Sequence, residues 1–235
     1  KRIKKLENRT STQADVDALS IEEKKRFERE AKRLNEKTGE PQYPAGVYGL
    51  LLLHTGVRVG EALALRWGDV DFANRTLNID KNRSMAKNRN RKKDENSYIM
   101  YEGSTKNEKA RKIELTEDAL EDLSVIKSRS ISATRDDYVV VTQTGKPNTT
   151  TNIEHRMETI YRNAGLNHLK GGVHILRKTF ATEMYENGAR VKEIAAYIGD
   201  LESTTERYYI AIRKKRLVDG REEHIVTLPA MTKVS

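Results

Sequence analysis

The chain has 235 residues, a formal net charge of +9 at pH 7 and no cysteine. Its length is enough to bury a substantial core, as one large domain or two small ones. Without cysteine it forms no disulfides, binds no zinc through thiolates and uses no thiol nucleophile. The excess of Lys and Arg indicates a polyanionic partner, because such side chains release counterions from a nucleic-acid backbone. The longest apolar run, residues 50–53, is too short to span a bilayer, so we expect no membrane association.

The N-terminal third of the sequence predicts a linker followed by helices. Residues 1–18 are basic and polar, have little to bury and predict a linker. Because the chain begins at Lys1 rather than at Met, we expect a further N-terminal region in the full-length protein. Ser20 and Glu23 form a capping-box pattern that opens the first helix. The predicted helices cover residues 20–35, 45–54 and 58–67.

The middle of the sequence predicts short strands and the last part predicts helices. Residues 76–79 and 111–115 have strand character and flank a long polar segment. Thr116 is the predicted cap of a helix that continues to Lys127, and residues 138–142 are a candidate strand that ends in a turn. From Thr150 onward the pattern is nearly all helical. The chain is therefore predicted to be mainly helical with a small sheet.

Residues 81–93 (KNRSMAKNRNRKK) carry seven basic side chains and no acidic one. A solvated loop and a nucleic-acid contact are both consistent with such a run. Its position inside a predicted β-hairpin favours contact, since an extended arm can follow a line of phosphates. The candidate DNA contacts in this segment are Lys81, Arg83, Lys87, Arg89, Arg91, Lys92 and Lys93.

Six segments between residues 18 and 209 together resemble the catalytic domain of tyrosine recombinases, the phage integrase family. They are GVRVGE at 56–61, LALRWGD at 63–69, TKNEKAR at 105–111, HILRKTFAT at 174–182, YIGD at 197–200 and STTERY at 203–208. The long hairpin and the basic tail are similar to integrases of conjugative transposons. The resemblance implies an α+β fold, mainly α, with a small antiparallel β-sheet and a long β-hairpin insertion.

The resemblance also implies three regions. Residues 1–18 would link the chain to an N-terminal DNA-binding region, and residues 19–212 would form the catalytic domain. Residues 213–235 would be a C-terminal tail whose short strand serves protomer contacts.

Two arginines are candidates for binding a phosphate. A phosphodiester under in-line attack develops charge on its non-bridging oxygens, and a guanidinium matches that geometry with two parallel hydrogen bonds. The resemblance assigns Arg58 and Arg177 to this role and places Glu61 in support. Glu61 lies one helical turn after Arg58 and can orient it, although an ordinary carboxylate on a helix surface gives the same pattern.

Proton transfer has two candidates, and both rest on the resemblance. His174 and Arg177 are three residues apart and so project to one side of a helix. The family pattern makes His174 a proton acceptor or phosphate ligand and Lys106 the general acid for the 5′ oxygen. Lys109 and Lys112 are alternatives to Lys106, because a shift of one residue in a hairpin changes the face that a side chain occupies. Lys178 is a further candidate DNA contact.

The nucleophile is one of two adjacent tyrosines, Tyr208 and Tyr209. Ser203 and Glu206 predict a cap for their helix, on which neighbouring positions differ by about 100° in direction. One tyrosine is therefore expected in the site and the other in packing. The family's Thr-Thr-x-x-Tyr pattern selects Tyr208, whereas counting from Asp200 selects Tyr209. We favour Tyr208.

Asp200 departs from the family pattern, in which His or Trp donates a hydrogen bond to the phosphate. An ionised carboxylate only accepts hydrogen bonds and would repel a phosphate. Asp200 is expected either to orient an arginine or to cap a helix after Gly199, and we favour the cap.

The implied function is site-specific DNA recombination for a mobile element, by integration or excision. A tyrosine would attack a phosphate of double-stranded DNA, form a 3′-phosphotyrosyl bond and free a 5′-OH, with neither metal nor other cofactor required. A homodimer to homotetramer on DNA is implied, together with accessory DNA-bending or directionality proteins, in the bacterial cytoplasm near the nucleoid. The alternatives are a non-catalytic DNA-binding protein on the same fold, supported by Asp200, or a type IB topoisomerase-like or telomere-resolvase-like relative.

Overall fold

A computed structural model describes residues 18–89, 98–104, 110–169 and 172–209. Residues 1–17 of the predicted linker and the whole predicted tail, with Arg91, Lys92, Lys93, Lys106 and Lys109, lie outside these residues. The helices are α1 Ile21–Ala31, α2 Gly46–Thr55, α3 Val59–Ala64, α4 Glu117–Arg129, α5 Thr150–Asn163, α6 His174–Glu186, α7 Val191–Ile198 and α8, residues 202–209. The strands are β1 Val70–Asp71, β2 Thr76–Ile79, β3 Lys81–Lys87, β4 Tyr98–Ser104 and β5 Arg111–Glu114.

The predicted caps are present at two helices. Glu23 N–H donates to Ser20 Oγ and Ser20 N–H donates to Glu23 Oε2, which closes the capping box of α1. Thr116 Oγ1 accepts from Ala119 N–H and starts α4. The first helix ends at Ala31 rather than at residue 35, because the following segment pairs Leu34 with residue 41 in an isolated bridge.

Two small antiparallel sheets carry the strands. Three strands form one sheet in the order β1-β2-β5, in which Leu77 and Ile113 are paired and buried. The strands β3 and β4 form a separate two-stranded hairpin with pairing from Lys81↔Ser104 to Lys87↔Tyr98. This arrangement confirms the expected α+β class with a small antiparallel sheet and a hairpin insertion.

The main core surrounds α2, whose leucines are all buried and which packs against α1, α4, α5 and α6. A helix that is apolar on every side belongs in the centre of a domain, because no face of it favours water. A second cluster joins α6, α7 and α8 through Phe180, Ala181, Ile194, Ile198 and Tyr209. The C-terminal helices are therefore held to the body by their own apolar contacts. Within the described ranges, none of the helices has the length and apolar character needed to cross a bilayer.

Three further local expectations are wrong. The third helix covers only Val59–Ala64, and Arg58 precedes it in an extended conformation. Residues 138–142 form isolated bridges rather than a strand, since Tyr138 pairs only with Arg66 in this way. Ser203 does not cap α8, because the Leu201 carbonyl already accepts the amides of residues 204 and 205 and the helix begins at residue 202.

Candidate active site

Arg58 lies at the junction of α2 and α3. Helix α2 ends at Gly56, whose φ of 63° is a left-handed conformation that glycine adopts without strain. The chain then turns, and Glu61 Oε2 accepts the backbone N–H of Arg58 at 3.0 Å. The other carboxylate oxygen of Glu61 accepts Arg58 Nη1 at 2.7 Å. The three-residue spacing therefore fixes both the backbone and the guanidinium of Arg58.

Arg177 reaches the same place from the first turns of α6. Its side chain is 3% exposed, and its Nη1 donates to the carbonyl of Gly56 at 2.7 Å. Its Nη2 lies 2.9 Å from Asp200 Oδ2. Burial lowers the pKa of Arg177, and the negative charge of Asp200 opposes that change. A guanidinium stays charged in proteins, so the buried Arg177 brings a permanent positive charge to the site.

Asp200 joins the two arginines. Its Oδ1 accepts from Arg58 Nη2, while its Oδ2 forms the ion pair with Arg177. Burial alone would raise the pKa of Asp200, but the charges and hydrogen bonds of Arg177 and Arg58 outweigh burial and lower it. The favoured expectation of a helix cap is wrong, because the carboxylate faces guanidiniums rather than backbone amides. The less favoured expectation, that Asp200 contacts an arginine, agrees with this geometry.

Arg111 is a member of the cluster that sequence reasoning did not assign to the site. Its Nη1 and Nη2 bind Glu61 Oε1 and Oε2 at 3.1 and 2.7 Å, and its Nε donates to the carbonyl of Tyr197 at 2.8 Å. Glu61 is 1% exposed, so it is not a surface carboxylate. Burial opposes its ionisation, yet Arg111 and Arg58 lower its pKa. A sequence signal was available, because Arg111 shares a strand face with the apolar Ile113 and residue 115.

The three guanidiniums and two carboxylates of this cluster leave one net positive charge. The arginines come from the start of α3, from β5 and from α6, and the carboxylates from α3 and from the residue pair after α7. Such a site can bind one phosphodiester monoanion by charge neutralisation and by directed N–H donors. The members of the cluster are Arg58, Glu61, Arg111, Arg177 and Asp200, which we call the arginine cluster.

His174 is the first residue of α6, one turn before Arg177. The side chain is in contact with solvent. Partial desolvation lowers its pKa, and the positive charges of Arg177 and Lys178 lower it further. A histidine with a lowered pKa is neutral at physiological pH and can accept a proton.

The two tyrosines of α8 have different environments. Tyr209 is 2% exposed and its ring stacks on Tyr185 at a centroid distance of 4.4 Å. Burial raises the pKa of Tyr209 far above the ordinary value, which disfavours the phenolate. Tyr208 is half-buried, with its hydroxyl 3.4 Å from Thr182 Oγ1 and the Lys178 ammonium 5.8 Å from its ring centroid. Of the pair, Tyr208 has the more accessible hydroxyl.

The described candidate DNA contacts on β3 and just after it fall into two groups. Arg83 is turned toward the body, where its Nη1 donates to the Asn148 carbonyl at 3.4 Å and its guanidinium lies 4.8 Å from the Tyr138 ring centroid. Lys87 and Arg89 are exposed, whereas Lys81 is partly exposed and forms an ion pair with the preceding aspartate. Exposed basic side chains therefore lie toward the far end of β3, at Lys87 and Arg89, more than at its start.

The predicted general acid has three candidate lysines. Lys106 and its alternative Lys109 lie outside the described residues, and Lys112 lies on β5 with its side chain exposed. Among the residues that the structure describes, no group of three or more His, Cys, Asp or Glu side chains could hold a metal ion.

The fold and the arginine cluster define a member of a known class. The chain matches the phage integrase family over residues 27–216 and belongs to it. It is similar to tyrosine recombinase XerC of Pediococcus pentosaceus, with 26% identity over 178 residues that cover 74% of this chain and 52% of that protein. It is also similar to XerH of Campylobacter jejuni, with 25% identity over 68% of this chain and 38% of that protein. The chain thus spans about half the length or less of these relatives.

Two solved structures are similar in fold. The crystal structure of XerA recombinase has a TM-score of 0.61 and 25% identity, with 88% of this chain and 66% of that one covered. The Tn1549 transposon integrase in complex with a circular intermediate DNA has a TM-score of 0.66 and 17% identity, with 91% and 68% covered. The predicted family and the predicted catalytic-domain fold are therefore confirmed.

Proposed function

We propose that this chain is the catalytic domain of a site-specific DNA recombinase that cleaves and rejoins DNA through a 3′-phosphotyrosyl intermediate. The observation that carries the proposal is the meeting of Arg58 and Arg177 around one carboxylate, with a net positive charge and within an otherwise buried setting. Two guanidiniums held in this way present directed donors to an oxyanion that displaces the Asp200 carboxylate.

The reaction begins with attack by the Tyr208 oxygen on a DNA phosphorus atom. The phenol loses its proton, a P–O bond forms to tyrosine, and the bond to the 5′ oxygen breaks. His174, whose lowered pKa leaves it neutral, is suited to accept a proton or to bind a non-bridging oxygen. Lys106 remains the predicted donor of the proton that the departing 5′ oxygen takes up. The freed 5′-OH then attacks the phosphotyrosine of a partner strand, so each bond broken is replaced by one of the same kind.

The partners proposed for this chain follow from that chemistry. The substrate is double-stranded DNA, with Lys87, Arg89 and Lys178 among the candidate contacts. Strand exchange requires two duplexes and therefore a homodimer to homotetramer. The solved relatives support both points, since one is a complex with circular intermediate DNA and lambda integrase is a tetramer bound to a Holliday junction. The transposon integrase also supports integration or excision of a mobile element as the biological role. A bacterial cytoplasmic location, close to the nucleoid, fits this role.

A nicked suicide substrate tests the proposal. The protein first selects its binding site from a random-sequence DNA pool. A duplex with that site is then nicked so that cleavage releases a short strand and prevents rejoining. We expect a covalent protein–DNA adduct on a denaturing gel in the presence of EDTA. Tight binding without adduct would contradict the proposal and support a non-catalytic DNA-binding protein.

The two tyrosines provide a matched pair of variants for the same assay. We expect Tyr208→Phe to abolish the adduct and Tyr209→Phe to retain it, because only the first removes the accessible hydroxyl. Adduct formation by Tyr208→Phe would reject Tyr208 as the nucleophile. Transfer of the tyrosine-linked strand to the 5′-OH of a second labelled duplex separates a recombinase from a topoisomerase-like relative, which would only relax supercoiled plasmid.

A further inference from the structure

Arg111 occupies a central position in the arginine cluster, although no phosphate-binding role follows from its contacts. Its side chain is 10% exposed, and all three of its nitrogens donate hydrogen bonds, two to the oxygens of Glu61 and one to the Tyr197 carbonyl. A Cβ on Gly199 would lie 2.5 Å from Arg111 Nη1. The guanidinium therefore packs directly against the backbone at Gly199, and only a residue without a side chain permits that approach.

The same two groups that Arg111 contacts also hold Arg58. Glu61 Oε1 accepts from Arg58 Nη1 at 2.7 Å and from Arg111 Nη1 at 3.1 Å, so the two arginines share one oxygen. The Gly199 carbonyl accepts from Arg58 Nη2 at 2.7 Å. Of the three acceptors of the Arg58 guanidinium, Glu61 and the Gly199 carbonyl belong to groups that Arg111 also contacts. The third acceptor is the carboxylate of Asp200.

We propose that Arg111 is a positioning residue for the DNA cleavage reaction, which fixes Arg58 through Glu61 and the Gly199 backbone without touching the phosphate. Burial of Glu61 between two guanidiniums restricts it to one orientation, because each of its oxygens has a directed partner. Without the fork of Arg111, Glu61 could turn with Arg58, and the phosphate donors would lose their fixed geometry. This inference rests on the proposed function of the chain.

The test is Arg111→Lys, which keeps the positive charge but loses the planar fork and the Nε donor. We expect adduct formation at saturating protein to slow by about 10- to 100-fold, in line with the cost of a misplaced catalytic group. The dissociation constant for the DNA site should change by less than about twofold, because Arg111 does not contact DNA. Arg75→Lys is the matched control, since Arg75 binds Glu117 in an ion pair away from the cluster. The control should match the wild type in both measurements.

A double-mutant cycle with Arg58→Lys separates positioning from a general structural role. If Arg111 acts through Arg58, adding Arg111→Lys to Arg58→Lys should slow adduct formation by less than about twofold further. If Arg111 had only a general structural role, Arg111→Lys would slow adduct formation by the same factor in the wild type and in Arg58→Lys. Equal fold-losses in the two backgrounds would overturn the inference, and so would cleavage by Arg111→Lys at the wild-type rate.

The remaining outcomes are also decisive. Arg111→Gln is the second variant, read in the same way if Arg111→Lys does not fold. Failure of both variants to fold would overturn the inference, since Arg111 would then be required for the fold itself. Absence of adduct from the wild type would overturn the proposed function together with this inference. Wild-type adduct with no effect at Arg111 would overturn the inference alone.

Discussion

Asp200 offers the sharpest test of the charge balance in the site. Its carboxylate occupies the donors of Arg58 and Arg177 that a phosphate would need. Replacement by Asn removes the negative charge at nearly constant shape. The two arginines keep their other acceptors, which are Glu61 and Gly199 for Arg58 and Gly56 for Arg177. We therefore expect Asp200→Asn to leave both guanidiniums in place and to increase the rate of adduct formation.

The magnitude follows from Coulomb's law. A phosphate bound by both arginines would lie roughly 4–5 Å from an unmoved carboxylate, which at an effective dielectric constant of about 20 gives a repulsion of about 3–4 kcal/mol. The Asp200 side chain is 28% exposed and can turn toward water, which reduces the effect. A residual of about 1.4 kcal/mol corresponds to a rate increase of about tenfold. Loss of the ion pairs should lower the free energy of unfolding by about 1–2 kcal/mol.

The assay measures adduct formation on the suicide substrate below saturating protein, where the rate reflects phosphate binding as well as cleavage, with urea unfolding of the same preparations. Glu183→Gln is the control, because Glu183 also binds a cation, Lys24, at 2.6 Å but lies outside the arginine cluster. It should leave the rate unchanged. A slower or unchanged rate for Asp200→Asn in a folded protein would refute the reasoning, since Asp200 would then assist the reaction instead of competing with the phosphate.

Two further predictions concern stability. Burial lowers the pKa of His54, but its 2.6 Å contact with Asp122 outweighs burial and raises it. Since the folded pKa exceeds the unfolded value of about 6.5, this stabilisation is complete below that pH and is lost as pH rises through the folded pKa. The advantage of wild type over His54→Gln in urea unfolding should therefore shrink from about pH 6 to about pH 8, and a constant difference would contradict this. Gly56→Ala should lower the free energy of unfolding by about 2–4 kcal/mol, because a left-handed backbone is strained and the new Cβ would lie 2.4 Å from Phe180. Gly39→Ala, with φ of 71° and open space, should cost only about 1 kcal/mol, and equal losses would reject the packing argument.

The sequence predicted the elements that depend on residues close together in the chain. The capping box of α1, the cap at Thr116 and the strand Thr76–Ile79 lie where the sequence placed them, because each depends on neighbouring residues. The segment 138–142 did not form a strand, since pairing depends on a partner that sequence alone does not identify. The prediction that Ser203 caps α8 is wrong because the helix starts earlier. The Leu201 carbonyl is already its first acceptor, one turn before residue 205.

The candidate site was predictable in its residue types and not in its connections. Arg58, Glu61 and Arg177 stood out because a family pattern marks them, whereas Arg111 is one of many cationic residues in a basic chain and is marked only by its place on the apolar face of β5. The role of Asp200 could not be inferred from spacing, since a residue after a helix-ending glycine fits a cap equally well. Only the meeting of α3, β5 and α6 with the end of α7 brings the partners of these side chains together.

The different exposures of Tyr208 and Tyr209 are explained by the faces of α6. Residues 178 and 182 are four apart and contact Tyr208, while Tyr185 stacks on Tyr209. Adjacent positions on α8 differ by about 100°, so one tyrosine must enter the apolar cluster when the other lies beside Lys178. Thr205 is 4% exposed and lies four residues before Tyr209, so these two residues share the buried face of α8. Counting from Asp200, which precedes α8, selects the buried tyrosine. The threonine pair lies on α8 itself, so its spacing to each tyrosine is set by the helix. The threonine pattern is therefore the better guide to which hydroxyl remains accessible.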